Sequence, residues 1–105
     1  MKITNRTMVE WLNRICRYAE IEKSLNSSIL NAKGTYAVLH NKKALLSQYE
    51  PYADTLKTIP NDDEVAISDL LAIEIEIPDI KTIGAEDFRD GVTFEVMTLL
   101  EFMTM

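Results

Sequence analysis

The chain has 105 residues and a net charge of −6, with 47% apolar and 27% charged residues. This length fits a single domain, and the composition is too apolar for a disordered chain. The lone cysteine excludes an intramolecular disulfide and a cysteine-rich zinc site, and no apolar run approaches the roughly 18 residues of a membrane span.

The first predicted elements are a short strand and a long amphipathic helix. Residues 1–4 predict the strand, and a helix follows over residues 6–22. Asn5 or Thr7 is expected to cap this helix, since Thr7 stands at capping-box spacing from Glu10. Apolar residues recur every three or four positions and predict one buried stripe, formed by Met8, Trp11, Leu12, Ile15, Tyr18 and Ala19.

A second helix begins near Ser28 or Asn31 and runs to about residue 49. Pro51 is expected to kink or end it, with a turn or two continuing beyond. Two stripes lie along this helix. One comprises Ala32, Tyr36, Leu39, Lys43 and Leu46, and the other Thr35, Val38, Lys42, Leu45, Tyr49, Tyr52 and Leu56. Two stripes favour a helix that packs on two sides, the second side being available to a partner.

The last elements are short. Asn61 is expected to begin a helix over residues 62–71, because asparagine is a favoured cap. Apolar and acidic residues then alternate over residues 73–77, which predicts a half-buried strand that extends towards residue 83. Thr93 is expected to cap a final helix. The fold class is therefore α+β and mostly α: a long helical hairpin, a short helix, a minimal sheet (about 1–4 and 73–83) and a C-terminal helix.

Charge is distributed unevenly along the predicted single domain, residues 1–105. The helical hairpin of residues 1–58 is basic, and the helix–strand–helix part of residues 61–105 is acidic. Residues 1–60 carry nine Lys and Arg against five Asp and Glu, a net charge of +4. Residues 61–105 carry two against twelve, a net charge of −10. Such an asymmetry is a cue to interaction.

Two interpretations of the acidic part remain open: a solvated face, or a negative surface that attracts a basic partner. Surface charge raises encounter rates and selects partners. A host protein that binds nucleic acid is a natural partner, because its phosphate-binding surface is basic. Direct nucleic-acid binding is not expected at a sequence pI near 4.7, whereas a homodimer stays open. The candidate contact residues are Glu74, Glu76, Asp79, Glu86, Asp87 and Asp90.

The sequence contains none of the phosphate-binding or nucleophile-elbow motifs that mark common enzymes. Glu74, Glu76 and Asp79 could hold a hard cation, but they lack the spacing of an EF-hand. Cys16 is expected to be a small buried or half-buried filler, and His40 a surface or packing residue. We therefore predict a protein without catalytic activity, metal or cofactor.

Several short stretches are similar to a known family. They are Met1-Lys2-Ile3-Thr4-Asn5-Arg6, residues 30–41, Glu50-Pro51-Tyr52, residues 69–77 and residues 99–103. Through them the chain resembles a family of small proteins of unknown function encoded in phages and prophages of Gram-positive bacteria. The chain departs from the family pattern at Asn31, where relatives usually have Pro, and at His40, where they have Lys.

The resemblance implies a phage origin and transfers no active site. It implies one of two non-catalytic roles: binding and disabling a host protein, as anti-CRISPR and other anti-defence proteins do, or building the virion, near the tail or baseplate. The N-terminal residues lack the apolar core of a signal peptide. We therefore expect the first role to be exercised in the host cytoplasm, and the second in the virion.

Overall fold

A computed structural model describes residues 1–89 and 92–104 and shows an α+β protein that is mostly helical, which confirms the predicted fold class. In chain order the elements are β1 (Lys2–Thr4), α1 (Asn5–Leu25), α2 (Ala32–Lys57), α3 (Glu64–Ala72), β2 (Glu74–Glu76) and α4 (Phe94–Leu99), with 3-10 turns at Ala85–Asp87 and Glu101–Met103. The helices α1 and α2 pack against each other as the predicted hairpin.

The sheet consists of β1 and β2 in antiparallel register, with Ile3 opposite Ile75. Alternation places these two side chains towards the core and the neighbouring glutamates towards solvent. The predicted strands are thus confirmed, but the expected extension to Ile83 is wrong. β2 ends at Glu76, and Ile83 forms a single bridge with Thr104 instead.

The start of α1 is set by Thr4, and the expected caps Asn5 and Thr7 are wrong. Thr4 Oγ1 accepts a hydrogen bond from the backbone N–H of Thr7 at 3.2 Å. Asn5 is instead buried, and its side-chain amide donates to the carbonyl oxygen of Leu70 at 3.0 Å. At the other end the helix extends past the predicted residue 22 to Leu25. Asn26 caps it there in the left-handed conformation, with φ 52°.

Pro51 does not end α2. The helix continues to Lys57, which agrees with the predicted turn or two beyond Pro51. Proline removes one backbone hydrogen bond, the one that would reach the carbonyl oxygen of Ser47. The hydroxyl of Thr55 adds a different bond one turn later, because it donates to the carbonyl oxygen of Pro51 at 2.7 Å. The long second helix therefore stays one element.

The caps of the two short helices differ in how well the sequence predicted them. Asp63, not Asn61, caps α3, because its Oδ1 accepts from the N–H of Ala66 at 3.0 Å. Thr93 caps α4 as expected, with Oγ1 accepting from the N–H of Val96 at 3.3 Å.

The core lies between α1, α2 and the C-terminal segments. Its fully buried large side chains include Met8, Ile15, Leu30, Leu45, Ile83, Leu100 and Met103. Trp11 is half-buried at the edge of this core and stacks on Phe102, with ring centroids 4.8 Å apart. Ala19 was expected in the buried stripe but is exposed. Among the described residues, no helix combines the length and apolarity needed to cross a bilayer.

Candidate functional site

The first turn of α2 is anchored by Asn31. Its Oδ1 accepts from the N–H of Gly34 at 2.8 Å, and its own backbone N–H donates to the carbonyl oxygen of Asp87 at 2.9 Å. A Cβ at position 34 would stand 3.0 Å from the side chain of Leu30, so a larger residue there requires Leu30 to shift by a few tenths of an ångström. The helix therefore begins at a fixed place against the 85–87 turn.

A second tie joins the end of α1 to the residues before α2. The hydroxyl of Tyr18 donates to Glu22 Oε2 at 2.6 Å, and the same oxygen accepts from the N–H of Ile29 at 3.1 Å. Burial raises the pKa of the Tyr18 hydroxyl above its usual range, and the bond to Glu22 raises it further. These two hydrogen bonds to Glu22 join the end of α1 to the segment before α2.

Asp87, one of the predicted contact residues, is buried. Its Oδ2 accepts from the N–H of Gly84 at 2.9 Å, and its Oδ1 from the side-chain amide of Asn31 at 3.1 Å. The Gly84 bond first, then the Asn31 bond and the charge of Lys33, hold the pKa of Asp87 below its usual range against the opposing effect of burial. A surface role for Asp87 is therefore corrected to a structural one.

Changing Asp87 to Asn is expected to destabilise the protein in a pH-dependent manner. The asparagine amide cannot accept from both donors, so one of these N–H groups loses its partner. Because the folded-state pKa of Asp87 is lowered, its contribution is present above the usual carboxyl range near pH 4 and is lost as the pH falls through the folded value. In urea titrations from pH 7 to about pH 3, the gap between wild type and variant should therefore narrow only at the acid end.

Asp69→Asn is the matched control, because it removes the same kind of charge from an exposed position on α3. Its free energy of unfolding should stay close to that of the wild type across the range. A gap for Asp87→Asn that is constant down to the lowest pH would contradict the assigned hydrogen bonds.

On the inner side of α2, Asn41 contacts the irregular segment 77–83 at Lys81, and this contact is called the clamp. The side chain of Asn41 is fully buried and bonds both backbone groups of Lys81: Nδ2 donates to the carbonyl oxygen at 2.9 Å, and Oδ1 accepts from the N–H at 2.8 Å. The Nζ atom of Lys81 then lies 5.9 Å from the ring centroid of Tyr36. The clamp thus helps to orient an aromatic ring on the surface.

The opposite side of α2 carries large apolar side chains that this chain leaves uncovered. Tyr36 is 63% exposed, Leu39 60%, Leu46 45% and Tyr49 40%. These four residues, together with Lys42, Lys43 and Glu50, are called the outer face of α2. This face carries Tyr36, Leu39, Lys43 and Leu46 of the first predicted stripe and also Lys42 and Tyr49 of the second. Val38 and Leu45 of the second stripe are buried.

The charged residues of the outer face are free to meet a partner. Lys43 and Glu50 are exposed and Lys42 is half-buried. None of the three forms an ion pair with another of the residues that the structure describes. His40 lies at the edge of the face and stacks with Tyr36, with ring centroids 6.5 Å apart.

Three of the predicted acidic residues lie together beside the N-terminus. Glu74 and Glu76 point to solvent from β2. The amino group of Met1 forms ion pairs with Glu76 Oε1 at 3.2 Å and Asp79 Oδ1 at 3.4 Å. This amino group offsets part of the negative charge that was expected there.

The other predicted acidic residues do not complete one site with these. Glu86 is exposed on the 85–87 turn, Asp87 is buried beside it, and Asp90 lies outside the described residues. No hydrogen bond or ion pair among residues 1–89 and 92–104 links Glu86 to the group around Met1, and no set of three metal-ligating side chains comes together in that part of the chain. Cys16, expected to be buried or half-buried, is exposed.

No family model matches this chain, and no match was found among curated proteins or solved structures.

Proposed function

We propose that this chain is a non-catalytic protein-binding module that contacts its partner through the outer face of α2. The observation that carries the proposal is the exposure of four large apolar side chains, 40–63% each, on one side of a helix whose other side is core. Exposed apolar side chains rimmed by polar residues are typical of protein–protein contact sites. Tyrosines, two of which lie here, are enriched among residues that dominate binding energy.

The acidic residues have a secondary role in this proposal. Glu74, Glu76, Asp79 and Glu86 lie outside the outer face and add to the negative field of the second half of the chain. Such a field speeds encounter with a basic protein more than it strengthens the complex. Reversing Glu74, Glu76 and Asp79 to lysine should therefore slow association and weaken its salt dependence.

The proposed biological form of this binding is supported only by the resemblance of short stretches of the chain to small phage and prophage proteins. We propose a phage-encoded inhibitor that disables or redirects a host factor, with anti-CRISPR activity as the most specific form. A virion or assembly component is the second candidate, because an apolar helix face also serves as a contact between subunits.

Affinity capture from a lysate of bacteria that carry the gene tests the surface and the role together. The double variant Leu39→Glu/Leu46→Glu should lose the captured partner, whereas Leu25→Glu, which alters another exposed leucine, should retain it. Loss of the partner only in the Glu74, Glu76 and Asp79 reversal would move the interface to the acidic group. Capture of phage proteins alone would replace the inhibitor role by the virion role.

A further inference from the structure

We infer that a second copy of this chain binds the outer face of α2, with the two helices antiparallel and Leu46 at the two-fold axis. This inference rests on the proposed function, since it assigns a second copy to the same surface when no other protein partner is bound there. It is drawn from the pattern of residues around Leu46.

Leu46 stands between two flanks that are set by helical geometry. Residues three before and four after it, Lys43 and Glu50, lie on one flank, and residues four before and three after it, Lys42 and Tyr49, lie on the other. An antiparallel pair related by a two-fold axis brings each flank against the same flank of the partner, in reversed order.

The resulting contacts are complementary in charge and shape. Lys43 meets the partner's Glu50 on one flank, and Lys42 meets the partner's Tyr49 on the other, each contact occurring twice. An ammonium group beside a tyrosine ring already occurs within the chain, where Lys81 Nζ lies 5.9 Å from the Tyr36 centroid. At the centre, the two Leu46 side chains cover each other.

A neighbouring register is disfavoured by charge. Centring the pair on Lys43 would place Leu39 against the partner's Leu46, but it would also bring the two Lys43 side chains together at the axis. Like charges in direct apposition are destabilising and select against such pairings. The Leu46 register keeps apolar contact at the axis and gives Lys43 an opposite charge.

Sedimentation equilibrium and a charge swap test the dimer and its register. Leu46→Glu should weaken dimerisation by about a hundredfold, about tenfold for each copy. Lys43→Glu and Glu50→Lys should each weaken it by about tenfold, because each change acts twice in the dimer. The double variant Lys43→Glu/Glu50→Lys should restore most of the wild-type affinity, and the matched control Lys23→Glu, on α1, should change little.

A cross-link gives an independent readout of the axis. In a Cys16→Ser background, Leu46→Cys should form an interchain disulfide under mild oxidation, since two Cα atoms at such an axis come within the distance that a disulfide spans. Leu25→Cys, at the exposed end of α1, should form no interchain disulfide, because that residue lies outside the proposed interface.

The possible outcomes separate this inference from the proposed function. A wild-type chain that stays monomeric at about 1 mM overturns the inference, because the binding free energy is then smaller than about 4 kcal/mol. If Leu39→Glu/Leu46→Glu then still abolishes capture of another protein, the proposed function stands. Single charge reversals that weaken the dimer without rescue by the double variant overturn the register. A Leu46→Glu variant that changes neither dimerisation nor capture overturns both.

Discussion

Truncation of Leu45 to alanine is expected to lower the free energy of unfolding by about 3 kcal/mol, within the range of about 2–5 kcal/mol for buried leucines. Leu45 is fully buried on the inner side of α2, so the lost side chain leaves a cavity as well as losing its transfer free energy. Urea unfolding at neutral pH measures the change, with an unaltered m-value showing that the denatured state is the same.

Leu46→Ala is the matched control, because it makes the same chemical change one residue further along the same helix. Leu46 is 45% exposed, so its truncation should change the free energy of unfolding by less than about 0.5 kcal/mol in the monomer. Equal losses for the two variants would contradict the assigned rotation of α2. At high protein concentration the Leu46 variant should lose additional stability if the dimer forms, because binding adds to apparent stability.

Replacement of Asn41 by alanine is expected to cost about 2–3 kcal/mol, the second largest effect predicted here. The change removes both hydrogen bonds to the backbone of Lys81 and leaves its N–H and C=O groups without those partners. Each of the two hydrogen bonds is expected to contribute about 0.5–1.5 kcal/mol. Lys81 itself is exposed, so water replaces part of what its two backbone groups lose. Thermal melting and urea unfolding should both register the loss.

Asn13→Ala provides the comparison for this change. Asn13 is exposed on α1, and alanine is the better helix former, so the control should be neutral or slightly stabilising. If Asn41→Ala had the same melting temperature as this control, the hydrogen bonds to Lys81 would make no net contribution to the free energy of unfolding.

Patterns of apolar residues predicted the elements well. The three- and four-residue spacing identified α1 and α2, and the alternation around Ile75 identified β2 as a strand. Caps were less predictable: Thr4 and Asp63 both have neighbours of the same chemical type that could serve equally well. Local sequence does not decide between adjacent caps, because the choice depends on where the helix packs.

Tertiary contacts account for the errors at individual side chains. Asp87 looked like one more surface acid, since nothing near it in sequence reveals the partnership with Asn31, far away in the chain. Asn41 carried a usable signal: it is a polar residue between Val38 and Leu45 on the buried side of a helix. Such a residue must find hydrogen-bond partners, and its partner Lys81 could be identified only in three dimensions.

The clamp between Asn41 and Lys81 has a consequence for cooperativity. The asparagine amide satisfies both backbone groups of Lys81, as an adjacent strand would do, so an irregular stretch of chain acquires the restraint of a sheet without being in one. Detaching that stretch means losing both bonds at once and freeing the ammonium group that lies over Tyr36. The orientation of the Tyr36 ring is therefore coupled to the folding of residues 77–83. A partner that binds this ring would also make local unfolding of residues 77–83 rarer.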